Sequence, residues 1–282
     1  MAPAPVRVVT APAPEADAGL PEQPAVPPPE PSAMSRTLSR QLAETEQGLK
    51  DRGLLRTDGG GEDTPYDARV LSENFVRIAL YDEFVPVSGD LVARETASRL
   101  RRWEAPVRIS LMFGDSVPEA QRTTDRAAVA ALTGRLAEAT RHDIAVAETG
   151  GNMAVFVVNE DERLALGDQL RAAVPGITPE VITAIRHMPG STFCLMIALS
   201  SDSAPYVYRS AVAVVRAEHP PLLRKSCFHE EIAQGLGLAN DSPEARPSIF
   251  NDDEEFALLT DQDELLLRML YSPDLRPGML VA

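Results

Sequence analysis

The chain has 282 residues, 44% of them hydrophobic, a net charge of −15 and an isoelectric point near 4.7. That length holds one large domain or two small ones, and the negative surface repels phosphate backbones, which argues against general nucleic-acid binding. No apolar run approaches the ~18 residues a membrane-crossing helix needs, and Met1 to Thr10 carries one arginine and no long apolar core.

Residues 1–32 are rich in Pro, Ala and Glu, the composition of an extended, solvated tether such as follows an export signal or a lipid anchor. From residue 33 to 282 the pattern is that of one folded domain. Ser35 is a candidate cap for a helix carrying Leu38, Leu42 and Leu49, ended by the flexible Asp58-Gly-Gly-Gly-Glu62 loop. Val70 to Leu80 reads equally as helix or buried strand. Pro106 to Phe113 alternates as a strand, with Val107, Ile109, Leu111 and Phe113 on one face. Asp125 is expected to start an Ala-rich helix that runs to about Arg141. Asp143–Ala147 and Asn152–Val158 are expected strands, with Gly150-Gly151 as a hairpin turn between them. Thr178 and Pro179 open a helix, Phe193–Leu199 and Ser210–Val215 are further strands, and Pro220-Pro221 introduces a last polar helix. Arg99 to Arg102 reads as a solvated basic helix end. The order predicts an α+β domain with one mixed sheet and the polar helix packed on it.

Cys227 to Asp241 concentrates the polar chemistry. At about 100° per residue, Phe228, Ile232 and Leu236 fall within an arc of about 80° as the buried stripe, with Glu230, Glu231 and Gln234 centred on the opposite face. Glu230 and Gln234 are one turn apart, the spacing of two metal ligands on a helix, and Gly237 frees the chain to bring Asn240 or Asp241 back toward them. His229-Glu230 fails as the start of H-E-x-x-H because Ala233 stands where the second histidine belongs, so His229 is expected to be a packed or surface residue. The two cysteines, Cys194 and Cys227, fit either two buried thiols or a disulfide.

Moved by one residue, Glu230-Glu231-x-x-Gln234-x-x-Gly237-x-x-Asn240 resembles the metzincin pattern H-E-x-x-H-x-x-G-x-x-H with all three ligand histidines replaced. The element order after Trp103 is similar to the upper metzincin subdomain. Leu259-Thr-Asp-Gln-Asp263, followed by Leu270-Tyr271, is similar to the closing helix of the matrixin type, with Thr260 and Asp263 as a capping box and Leu265, Leu266, Met269 and Leu270 as its buried side. Ser248-Ile-Phe-Asn-Asp252 stands where that family has its methionine turn, without a methionine. Together with Leu275-Arg-Pro-Gly-Met279, these stretches resemble a bacterial family, the domain of unknown function 2927 family, over most of Ser32 to Met279.

The resemblance implies a metzincin-like α+β fold and an extracytoplasmic place, periplasmic or in the cell envelope. Carried over residue by residue, it makes Glu231 the general base, Glu230, Gln234 and Asn240 the metal ligands, and Gly237 the turn glycine. One carboxylate and two neutral amides make a poor zinc site, and such an oxygen set suits a harder divalent metal better; Asp241, Asp252 and Asp253 would add charge if their loops fold inward. The expectation is a non-catalytic binding or scaffolding protein whose partner is an envelope protein or peptide, with a divergent metal-dependent peptidase as the alternative. A disulfide between Cys194 and Cys227 would tie a strand to the N-terminal part of this helix, a contribution of ~2–4 kcal/mol if unstrained.

Overall fold

Strands buried on both faces read as continuous apolar runs, and Met153–Val158 is such a run: all six residues are buried. It forms the middle of the sheet. The computed structural model describes residues 30–87, 90–251 and 253–281, so residues 1–29 of the expected tether lie outside it. Among the described residues there are eight helices. They are α1 (Ala33–Asp51), α2 (Ala68–Ala79), α3 (Glu119–Thr140), α4 (Glu160–Ala165), α5 (Gly167–Ala173), α6 (Pro179–Arg186), α7 (Pro221–Gln234) and α8 (Asp261–Leu270). The strands are β1 (Tyr81–Val87), β2 (Asp90–Ala97), β3 (Arg102–Trp103), β4 (Val107–Phe113), β5 (Ile144–Val146), β6 (Met153–Val158), β7 (Cys194–Ser201) and β8 (Ala204–Arg216). The fold is α+β, as the element pattern predicts.

β1 and β2 pair as an antiparallel ribbon apart from the main sheet. The main sheet runs β8-β6-β4-β5, all parallel; short β3 lies parallel to the first part of β8, and β7 pairs antiparallel with β8 as an edge strand. The expected hairpin at Gly150-Gly151 is absent. β5 and β6 flank β4 on opposite sides, each parallel to it, so the segment between them crosses β4 instead of turning back. Gly151 is required there, since a Cβ would lie 2.3 Å from the Arg108 carbonyl oxygen.

Alternation in β6 and β8 builds two cores. Met153, Val155, Val157, Ala211, Ala213 and Val215 face a layer formed by α2, α3, α7 and α8, while Ala154, Phe156, Val158, Val212 and Val214 face α5 and α6. α2 settles the ambiguity at Val70 to Leu80 in favour of helix, with Asp67 as its cap. Two expected helix starts move. Ser32, not Ser35, caps α1, and Ser35 is buried with its hydroxyl donating to Glu218. α3 begins at Glu119, six residues before Asp125, whose carboxylate is buried in mid-helix against Arg224 at 2.9 Å. In α8 the capping box of Thr260 and Asp263 is complete, and the buried side is Leu266, Leu267 and Leu270, with Leu265 and Met269 only partly covered.

α1 packs Leu49 beside Leu223 and Ala257, and it supplies what α7 lacks. The cap residue of α7 is Pro220, which has no side-chain oxygen to accept the first free N–H groups. Glu46 of α1 takes that role: its Oε2 accepts from the Leu223 N–H at 3.0 Å. Glu46→Ala is therefore expected to lower unfolding stability by about 1–2 kcal/mol, the range of a lost cap. In urea melts, the exposed neighbour change Glu44→Ala is expected to cost less than about 0.5 kcal/mol. Equal effects of the two would remove Glu46 as the cap of α7.

Candidate functional site

α7 presents its polar face to a cleft of about 360 Å³ beneath the edge strand β7. Its lining includes Asp82 and Arg101 on one side, Glu230, Glu231, Gln234 and Asp241 along the floor, and Cys194 to Ala198 along the rim. The helix reaches this place because Phe228, Ile232 and Leu236 are buried in the main core, as their spacing predicts. Glu231 is 3% exposed; Glu230 and Gln234 are half-buried. The Gln234 amide points to Asp241 Oδ1 at the long distance of 3.5 Å.

The C-terminal end of α7 is closed by side chains from elsewhere. Trp103 Nε1 donates to the Gly235 carbonyl at 2.7 Å, and the Tyr271 hydroxyl donates to the Leu236 carbonyl at 3.0 Å. Gly237 has φ 126°, and a Cβ there would lie 2.3 Å from the Arg101 carbonyl oxygen. The turn therefore needs glycine for backbone conformation and for space.

After that turn, the expected ligands separate. Asn240 is buried facing α2: its amide donates to the Arg77 carbonyl at 3.0 Å and its backbone N–H to the Ile78 carbonyl. It does not line the cleft, whereas Asp241 does. Asp253 is exposed on its own loop, and Asp252 lies outside the described residues. His229 is buried, and its Nδ1 accepts the Leu259 N–H at 3.0 Å, which leaves the proton on Nε2. Burial pushes its pKa down to about 3, so it is a neutral packed residue.

Cys194 and Cys227 form a disulfide that ties β7 to α7. Among the described residues one group of three His, Cys, Asp or Glu side chains has all its ligand atoms within 4.8 Å of one another: Cys194, Glu230 and Glu231. A disulfide sulfur carries no negative charge and is a poor metal ligand. With Cys194 so tied and Asn240 turned to α2, these residues do not fit a histidine-type zinc centre.

The sequence reading missed Asp82 and Arg101. Arg101 is not part of a helix end; it pairs with Asp82 and also donates to Ser98 Oγ at 2.7 Å. Arg102, in β3, donates to the Leu270, Ser272 and Leu275 carbonyls and so closes the end of α8. A run of three arginines within four residues carries no signal of these separate tasks, which depend on chain segments far away.

His219 lies behind the disulfide, 2% exposed, with Nε2 at 2.9 Å from the Phe193 carbonyl and 3.7 Å from Cys227 Sγ. Burial drives its pKa down to about 4, against an ordinary value of 6.5. The unfolded chain therefore takes up this proton first, and stability from His219 is lost as pH falls below 6.5. By pH 5 the loss is about 2 kcal/mol. His219→Gln is expected to remove it, so the stability gap between native and variant chain narrows by about 2 kcal/mol between pH 7.5 and pH 5; a gap independent of pH would contradict the assignment. Gly237→Ala is expected to cost about 3 kcal/mol in denaturant melts, from positive-φ strain and the clash with Arg101.

No curated protein and no solved structure matches the chain. Residues 68–282 match the family described as a protein of unknown function, DUF2927. α1 precedes the matched segment, although the resemblance is expected to extend back to Ser32. With about three quarters of its length in the match, the chain belongs to the DUF2927 family.

Proposed function

We propose that this chain is an extracytoplasmic protein that holds an extended peptide in the cleft between β7 and α7, on a metzincin-like scaffold that has no histidine metal centre. The observation that carries the reading is the rim of the cleft. Met196 and Ala198 pack toward the main core, and Leu195 and Ile197 toward the second core, yet all four line the cleft. What they share on that side is the strand edge itself, with its outward N–H and C=O groups. Among the described residues β7 pairs only with β8, so its other edge is an open template for a further strand.

About four backbone hydrogen bonds at roughly 1 kcal/mol each would give weak, sequence-tolerant affinity. Selectivity then comes from the floor, where Glu230, Glu231 and Asp241 favour a basic side chain or an amino terminus. The disulfide supports the extracytoplasmic place, because such bonds persist in oxidising compartments.

The test is a binding screen with extended decapeptides, followed by N-methylation of the selected peptide at alternate residues. Methylation at positions that face β7 is expected to abolish binding, and methylation at the positions between to leave it. Glu230→Lys is expected to weaken basic peptides about tenfold or more. Binding that is indifferent to N-methylation, or no binding of any extended peptide, would overturn the reading.

A further inference from the structure

The disulfide ties up a sulfur that stands beside two carboxylates. Cys194 Sγ and the carboxylate oxygens of Glu230 and Glu231 lie within 4.8 Å of one another, in a concave site. Ligand atoms around a tetrahedral zinc ion are roughly 3.3 to 3.8 Å apart, so rotation of one freed cysteine side chain and small shifts of two glutamates close the set. Only the sulfur–sulfur bond removes the thiolate from this group.

We propose that reduction of Cys194–Cys227 opens a site for a zinc-class divalent cation, held by the Cys194 thiolate and the Glu230 and Glu231 carboxylates with water as the fourth ligand. The proposal does not depend on peptide binding in the cleft.

The reductant is a dithiol. Its thiolate attacks Cys194 Sγ, which lines the cleft, because Cys227 is 2% exposed. The Cys194–Cys227 bond breaks, a mixed disulfide forms on Cys194, and Cys227 leaves as a thiolate that takes up one proton from water. The second thiol of the reductant then attacks its own sulfur in the mixed disulfide, leaves as an internal disulfide and releases Cys194 as a thiolate. Two electrons pass from dithiol to cystine; of the two protons the dithiol gives up to water, one is taken by Cys227 and the other stays in solution, because the metal takes its place on Cys194. His219 assists departure of Cys227. Its Nε2 must carry hydrogen, because its neighbour at 2.9 Å is a carbonyl that only accepts, and that N–H stands 3.7 Å from the leaving sulfur.

Electrostatics couples reduction to metal. A thiolate formed beside two glutamates in a partly buried site is disfavoured by like charge and by lost hydration. A divalent cation removes both penalties, and the sulfur ligand selects a borderline-soft ion over calcium or magnesium.

The test uses the full chain and zinc. Cys227→Ser leaves Cys194 as a free thiol without any reductant, and it is expected to bind one zinc per chain as purified. The native chain is expected to bind zinc only after anaerobic dithiol treatment with the dithiol then removed, and Cys194→Ser to bind none in either state. In Cys227→Ser, Glu231→Gln is expected to weaken zinc at least tenfold. Cobalt in place of zinc should give a sulfur-to-metal absorption band that Cys194→Ser lacks. A folded Cys227→Ser chain without zinc, or equal binding by Cys194→Ser, would falsify the proposal. If Cys227→Ser does not fold, absence of zinc from the reduced native chain overturns it equally, and loss of peptide binding changes none of these results.

Discussion

α7 cannot finish itself at either end, and the site depends on how other segments finish it. Pro220 stands at its N-terminal cap with Pro221 as its first residue, and Gly235 follows its last, so neither end carries a capping side chain of its own. Glu46 of α1 accepts at the first turn, Trp103 and Tyr271 donate at the last, and the Cys194–Cys227 bond clamps its middle to β7. Four separate stretches thus converge on one helix of fourteen residues. Its position over the cleft is a property of the whole domain, and displacement of α1 or β3 would reach Glu230 and Glu231 without touching them.

Buried ions support the same arrangement from behind. Glu160 pairs with both Arg163 and Arg216, and Arg216 also donates to the Thr192, Met188 and Pro189 carbonyls. Those carbonyls belong to the segment that enters β7, so the ion cluster fixes the strand's approach. Arg224 of α7 pairs with Asp125 of α3 and donates to the His219 carbonyl, which sets the helix against the layer beside it. Such pairs add little net stability against apolar replacements, but breaking one partner is costly and their geometry is specific. They serve here as locators of β7 and α7 rather than as a source of stability.

Much of this was legible locally. The Phe228, Ile232 and Leu236 stripe, the Thr260–Asp263 capping box and the Thr178-Pro179 start follow from spacing and from the chemistry of one or two side chains. The failures share one cause. Gly150-Gly151 suits a hairpin by composition, but β5 and β6 each find β4 as a parallel partner, which no local pattern announces. Asp125 reads as the start of the helix because a buried aspartate inside a helix makes sense only with Arg224, ninety-nine residues away. Asn240 sits at ligand spacing, and the carbonyls of α2 claim it after the Gly237 turn. Asp82 and Arg101 enter the cleft through segments that precede the readable strand-and-helix order.

The placement of Glu231 separates a maintained site from a leftover surface. Taking an ionisable side chain to 3% exposure costs several kcal/mol unless its surroundings compensate, so whatever holds Glu231 is part of how the cleft is built. A polar face kept only for solubility would leave its charges in water, as Glu44 and Glu73 do on α1 and α2. Here the buried carboxylate lines a concave cleft, next to a half-buried second carboxylate and beside a strand edge that has no pairing partner among the described residues. Buried ionisable groups cluster at functional sites, and here one coincides with a cavity and, among the described residues, with an unpaired strand edge. That coincidence is what supports reading the β7–α7 cleft as the proposed binding site.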